Sequence, residues 1–316
     1  MYFYITILNT FQSIFDYNKK KKSILTLGTF DGVHIGHQKI LQKLVKEAKA
    51  SDLESILLTF FPHPRMVLKQ DEKIQLLNTI DEKSKLIEKT GVHTLIIHPF
   101  DSTFSELSAE EFVKKILIDK LNLAKIIIGY DHKFGKNRSA DINDLIILGK
   151  KYNFEVEQIS AKEIDDISIS STKIRKALLN GNIELATSYL GHDYSLFGLV
   201  VEGEKNGRTI NYPTANLKIS EDYKLIPKNG VYIVSSFIDN KTVFGMMNIG
   251  NNPTVQGISE SIEIHFFDFN EEIYAKEICV NLLSRIRDEK KFDSLDELKK
   301  QLDLDKEYSK NYILKI

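Results

Sequence analysis

The feature that most constrains the fold is a change of hydrophobic period two thirds of the way along the chain. From Ser23 to about Ile159, short β-branched runs alternate with runs of helical period: "SILTLGTF", "HQKILQKLVKEAKA", "ESILLTF", "TIDEKSKLIEKTG", "HTLIIHPF", "SAEEFVKKILIDKL", "AKIIIGY", "DINDLIILGKK", "FEVEQI". The strand runs are nearly all apolar, which predicts a parallel sheet covered by helices on both faces. After "GHDYSLFG", residues 191 to 198, the runs turn strand-like until a last helix near Ser294, among them "GLVVEG", "GVYIVSSFI", "TVFGMMNIG", "SIEIHFFDF" and "IYAKEICVNLL", with turns "EKNG", "DNK" and "FNEE" between them. Their spacing predicts an antiparallel sandwich or barrel. The fold class is therefore α/β followed by β, and the boundary falls near residues 188 to 196, giving domains 1–188 and 189–316.

Helix starts are written into the sequence. Thr79 with Glu82, Ser108 with Glu111, and Ser294 with Glu297 have capping-box spacing, the last opening a terminal helix. The opening "MYFYITILNTFQSIF" has neither a basic start nor a small-residue cleavage pattern, and it is too short to span a bilayer; it reads as a first strand plus a helix-like turn.

Charge and cysteine use narrow the function. The 316 residues carry 43 basic and 44 acidic side chains, a net charge of −1, so no overall positive field exists to recruit nucleic acid or a membrane surface, and small molecules are the expected partners. Cys279 is the single cysteine, which excludes an intramolecular disulfide and a cysteine-rich zinc site and fits a cytoplasmic setting. In a strand of alternating pattern it is expected to be a buried, inert thiol.

The turn after "SILTLGTF" lies at the carboxyl end of a strand, where an open α/β sheet binds ligands. Gly28, Gly32 and Gly36 let its backbone bend and approach a ligand. A helix starting near His37 aims its positive end at the turn, which suits a phosphate. His34 and His37, one helical turn apart, could donate to phosphate oxygens; a capping and a surface histidine is the plainer alternative, and zinc lacks a third ligand.

The ten residues "GTFDGVHIGH" closely resemble the signature of the H-x-G-H nucleotidyltransferase superfamily, in which both histidines contact ATP phosphates. "ISISSTKIRKAL", residues 167 to 178, is similar to that superfamily's second phosphate segment. Alone it is an ordinary helix start, in which Ser170, Ser171 and Thr172 can cap and Arg175 offers a planar fork for phosphate oxygens. Together the two segments read as the jaws of a triphosphate clamp. With "TFFPHP" (59–64) and "GYDHKFG" (129–135), they resemble the FMN adenylyltransferase half of the bifunctional bacterial riboflavin kinase/FAD synthetase family. The resemblance implies a Rossmann-like domain whose ATP site includes Gly28, Phe30, Asp31, His34, His37, Asp131, Ser170, Ser171, Thr172 and Arg175. His132 departs from the family, which more often has an aromatic residue there.

The β-rich half contains "GLVVEGEKNGRTINYPTANL", residues 198 to 217. Gly203, Gly207 and Arg208 make a flexible cationic loop or a plain hairpin turn. In an extended "PTAN", Thr214 and Asn216 point to one side, and their oxygens suit a hard cation such as magnesium. Glu263 and His265 share one strand face opposite Ile262, Ile264 and Phe266, either as a solvated face or with Glu263 as a general base.

These runs, with "NIGNNPT" and "LLSRIRDEKKFDSLDELKKQL", match the riboflavin kinase module of the same family in order, so that the resemblance extends from Ser23 to Leu302. It implies a barrel with ATP phosphates near Gly203, Gly207 and Arg208, magnesium at Thr214 and Asn216, Glu263 as catalytic base, and Arg285 and Arg287 in a flavin-contacting flap. The expected chemistry is phosphorylation of riboflavin to FMN with release of ADP, then adenylylation of FMN to FAD with release of pyrophosphate, each using ATP and Mg2+. Two rivals are an adenylyltransferase for another acceptor with the barrel as an oligomerisation module, and a flavin-binding regulator without turnover.

Overall fold

The computed structural model describes residues 7–18, 21–68, 74–129, 133–160, 169–203, 212–254 and 257–316, with backbone alone for 252–254 and 257–260. The chain divides into two compact units between Ile169 and Ser170.

The first unit is built on a six-stranded sheet of order β1-β4-β3-β2-β5-β6. Its strands are β1 (Asn9–Phe11), β2 (Ser23–Leu27), β3 (Glu54–Phe60), β4 (Thr94–His98), β5 (Leu123–Gly129) and β6 (Glu155–Ile159), all paired in parallel. Every residue of β2, β3 and β4 is buried, because successive side chains enter opposite cores. Ile24, Leu57, Leu95 and Ile127 pack beneath α1 (Ile35–Ala50), whose Ile40, Leu41, Leu44 and Val45 face them. Their neighbours Leu25, Ile56, Leu58, Ile96, Ile126 and Ile128 fill the second core.

Between β3 and β4 lie α2 (Pro64–Leu68) and α3 (Ile80–Glu88); after β4 come α4 (Ser102–Ser105) and α5 (Ala109–Glu111), then α6 (Ile142–Tyr152). The predicted helix after Ser108 is α only at α5 and widens into a π-helical stretch, Phe112–Ile118, which packs its Phe112, Val113, Ile116 and Leu117 into the second core. The capping boxes at Thr79 and Ser108 form in full. Of the opening segment, residues 1–6 lie outside the described residues; β1 supplies its strand, and a turn follows.

The second unit opens with α7 (Ser171–Leu179) and α8 (Ile183–Leu190). A closed antiparallel barrel follows, of order β10-β11-β8-β7-β12-β9, so each strand has a neighbour on both sides. Its strands are β7 (Tyr194–Val201), β8 (Ala215–Lys218), β9 (Gly230–Ile238), β10 (Lys241–Thr254), β11 (Gly257–Phe266) and β12 (Glu277–Arg287), and α9 (Leu295–Ile313) closes the chain. The change of period near residue 191 marks the first barrel strand, whereas compactness places the division earlier because α7 and α8 pack on the barrel. Lys228 N–H donates to Leu178 O at 3.1 Å, and Ser284 Oγ to Glu184 Oε1 at 2.6 Å.

Two expectations are corrected. Ser294 caps α9 by accepting from Glu297 N–H, but the Glu297 carboxylate accepts from Asp293 N–H at 3.4 Å, so the reciprocal half of that box is displaced by one residue. Cys279 is exposed, because the alternation of β12 buries Ile278, Val280 and Leu282 and turns Cys279 to the face of Glu277.

Candidate active sites

In the first sheet β2 lies between β3 and β5, so the chain order reverses beside it and the turn leaving β2 stands at the switch point. Gly32 takes φ +86°, but Phe30 and Val33 are also left-handed, at +46° and +39°. For a β-branched residue this strain is on the order of 1–3 kcal/mol, and it persists only where surroundings over-determine the loop. Here they do. Lys83 Nζ donates to Thr29 O at 2.8 Å, Thr59 Oγ1 reaches the same oxygen at 3.3 Å, and Asp31 Oδ1 accepts from Leu77 N–H at 2.9 Å. Phe30 and Val33 themselves are buried in the core beneath α1.

The loop delivers two imidazoles to the start of α1. His34 is the N-cap, two residues further out than the sequence places the helix start, and its Nδ1 accepts from His37 N–H at 3.4 Å. An imidazole accepting at Nδ1 carries its proton on Nε2. The two rings stack with centroids 3.6 Å apart, and the Phe30 ring lies 4.7 Å from His37. Among the described residues His37 Nδ1 is buried without a hydrogen-bond partner, and no acid stands in the first turn of α1. Burial, then the neighbouring His34 and the charge of Lys83, hold the His37 pKa well below the ordinary histidine value. Burial also lowers the Lys83 pKa, against the pull of Asp31. A stacked histidine pair, a helix N-terminus and a buried lysine thus share one corner of the sheet. Lys83 went unnoticed in the sequence, where a lysine on an amphipathic helix reads as solvated.

Asp31 is buried and braces the loop through Leu77, while Asp131 and His132 lie outside the described residues. The second phosphate segment is carried by the second compact unit. Ser170 caps α7 by accepting from Lys173 N–H at 3.3 Å, Ser171 and Thr172 form its first turn, and Arg175 follows one turn in; that turn holds no acid.

In the barrel, Asn216 of β8 is the register partner of Glu263 on β11, and Thr214 Oγ1 donates to Glu263 Oε2 at 3.3 Å. A Cβ added to Gly203 would fall 2.0 Å from Asn216 Nδ2, so the backbone there approaches the amide as only glycine can. Gly207 and Arg208 lie outside the described residues. Ile262, Ile264 and Phe266 are buried on the opposite face, as the alternation predicts. His265 is also buried, with Nδ1 2.9 Å from Pro213 O, and burial lowers its pKa. The hydroxyl, amide and carboxylate oxygens of Thr214, Asn216 and Glu263 are hard donors, too few to enclose a cation by themselves. Among the described residues no group of three or more His, Cys, Asp or Glu could do so either. Such a set fits Mg2+ shared with substrate phosphates.

Arg285 and Arg287 are both held by protein groups. Arg285 Nη2 donates to Asn229 O at 2.6 Å and Asp288 Oδ1 at 2.7 Å. Arg287 grips Asp305 of α9 through Nε at 3.1 and 3.0 Å and Nη2 at 2.7 Å.

The chain thus carries a strained switch-point loop in one unit and an oxygen-lined barrel site in the other. A family model described as FAD synthetase matches residues 16–173, and one described as riboflavin kinase matches 190–313. Curated relatives named bifunctional riboflavin kinase/FMN adenylyltransferase include those of Buchnera aphidicola, 41% identical over 94% of this chain and 96% of its own, and Bacillus subtilis, 36% identical over 93% of each. A crystal structure from Streptococcus pneumoniae, described as a macrolide-efflux protein, superposes with a TM-score of 0.87 at 35% identity over 96% of this chain and 99% of its own. Among the described residues of this chain no helix is long and apolar enough to cross a membrane. The chain belongs to the bifunctional riboflavin kinase/FMN adenylyltransferase family.

Proposed function

We propose that the chain makes FAD from riboflavin in two ATP-dependent steps at two separate sites, with domain 1–188 as the adenylyltransferase and domain 189–316 as the kinase, in the cytoplasm. In the barrel the riboflavin 5′-hydroxyl attacks the γ-phosphorus of ATP, Glu263 accepts its proton, and FMN and ADP leave. Thr214 and Asn216 would hold Mg2+, which when bound neutralises charge on the phosphates. Gly203, Gly207 and Arg208 flank the nucleotide, and Arg285 and Arg287 support the flap that covers the flavin.

In the first unit a phosphate oxygen of FMN attacks the α-phosphorus of a second ATP, and pyrophosphate leaves. The His34 and His37 rings and the start of α1 stabilise the charge that builds on the transferring group. Gly28 and Phe30 shape the loop, Asp31 fixes it and Asp131 meets the nucleoside; Ser170, Ser171, Thr172 and Arg175, carried by the second compact unit, keep from the sequence resemblance alone the role of further donors to phosphate oxygens. No covalent enzyme intermediate is required. Positioning and charge stabilisation suffice.

The observation that carries the kinase reading is the Thr214–Glu263 contact at 3.3 Å with Asn216 in register. A barrel serving only for oligomerisation has no need of it, and a regulator without turnover has no need of a buried, unpartnered His37 Nδ1 at a helix start. His37→Ala should abolish FAD formation from FMN and leave riboflavin phosphorylation near native, and Glu263→Gln should do the converse. Equal loss of both activities in either variant contradicts two separate sites.

A further inference from the structure

We infer that His265 is a positioning residue for riboflavin phosphorylation: its imidazole tethers the Pro213 carbonyl and thereby fixes Thr214 and Asn216 beside Glu263. This rests on the reading of Glu263, Thr214 and Asn216 as the kinase site.

The need for a tether follows from the strand register. Among the described residues β8 pairs with β11 only at Asn216↔Glu263 and Ala215↔Ile264, and with β7 only from Val201↔Asn216 onward. Tyr212, Pro213 and Thr214 therefore precede the ladder, and Pro213 has no N–H with which to join one. Its carbonyl is its one backbone hydrogen-bonding group, and that group faces His265 Nδ1 at 2.9 Å.

The imidazole is itself fixed. It is 9% exposed, with the Tyr212 ring at 4.8 Å and the Phe267 ring at 5.9 Å. The Tyr212 hydroxyl donates to Asp303 of α9, so the segment before Thr214 is anchored by side chains on both flanks. One strand thus presents the carboxylate to the Thr214 hydroxyl and, two residues on along the same face, the imidazole to the carbonyl just before it. Thr214 cannot shift relative to Glu263 without breaking the bond to His265. A displacement of about 1 Å at such a site costs on the order of a hundredfold in rate.

The test uses the full chain, whose FAD formation from FMN is an internal control, and compares His265→Leu, His265→Asn and His265→Gln with Glu263→Gln. Asparagine can place an amide N–H where Nδ1 stood; leucine has no donor, and glutamine puts its donor one carbon too far. The expected result is a loss of about a hundredfold in kcat for FMN formation in His265→Leu and His265→Gln, recovery to within about fivefold of native in His265→Asn, and FAD formation within twofold throughout. If His265→Leu fails to fold, the contrast between asparagine and glutamine carries the same information. The inference is overturned if His265→Leu or His265→Gln keeps native kcat while Glu263→Gln is inactive, or if His265→Asn is no better than His265→Gln. Retained riboflavin phosphorylation in Glu263→Gln would instead overturn the underlying reading of the site, and the inference with it.

Discussion

Replacing Arg287 with methionine separates a flavin contact from a structural tie. The guanidinium makes three contacts of 2.7 to 3.1 Å with Asp305, which is 2% exposed and whose other side-chain contact is Gln301 Nε2 at 3.0 Å. Without Arg287 a buried carboxylate is left nearly uncompensated, and such breakage costs about 3–5 kcal/mol. The Arg287 side chain is itself 21% exposed, which puts the loss near the lower end, about 3 kcal/mol. For a unit of about 150 residues this lowers the melting temperature by roughly 6–12 °C. Converting both partners, in Arg287→Met with Asp305→Leu, removes the orphaned charge and should restore most of the loss, to within about 1 kcal/mol. The assay is thermal unfolding of the full chain, followed by circular dichroism and residual kinase activity, with riboflavin KM measured below the transition. An unchanged melting temperature with a raised riboflavin KM in Arg287→Met, not relieved in the double variant, would refute the structural tie and restore Arg287 to the flavin.

Lys83→Met removes the bond that pins Thr29 O and should lower FAD formation from FMN about 10- to 100-fold while FMN formation stays within twofold, as coupled chromatographic assays of both products would show. Burial lowers the pKa values of His37 and His98 below 6.5, so below that pH the unfolded chain binds more protons than the folded one. The stability these residues contribute is complete well above pH 6.5 and falls as pH drops below it, by at most about 1.4 kcal/mol per pH unit for each. Urea unfolding of the full chain between pH 7.5 and 5.5 should show a shallower pH slope in His98→Asn than in the native chain, and an undiminished slope would exclude His98 as a contributor. Cys279→Ser should alter stability by less than about 0.5 kcal/mol, and native Cys279 should react fully with a thiol reagent without unfolding.

The two architectures were legible because their periods differ for a physical reason. Strands covered on both faces read as unbroken apolar runs, and β2, β3 and β4 are buried throughout; strands with one solvated face alternate, as β12 does. The same alternation shows why the expectation for Cys279 failed, since parity in β12 assigns it to the face of Glu277 and overrides the general tendency of free cysteines to be buried. The widening of the helix at Phe112–Ile118 was not legible, because a π-helical turn keeps the apolar composition of an α-helix and is selected by packing.

In the candidate sites, the groups proposed to do chemistry stand in short contiguous runs, while the groups that hold them come from far along the chain. His34 and His37 stand together at the start of α1, but the lysine bracing the loop before it is 54 residues from Thr29, and the imidazole holding Pro213 is 52 residues away. No local pattern encodes such a tether, so Lys83 and His265 acquire meaning only when the sheet and barrel close. The sequence also assigned the bending of the phosphate loop to Gly28, Gly32 and Gly36, yet Gly36 lies inside α1 and the left-handed positions include Phe30 and Val33. Local preference and global fold disagree there, and strain of that kind survives where long-range contacts enforce it. The loop is therefore rigid by construction: glycine at Val33 would relieve the backbone but surrender the buried contact that sets where His34 and α1 begin.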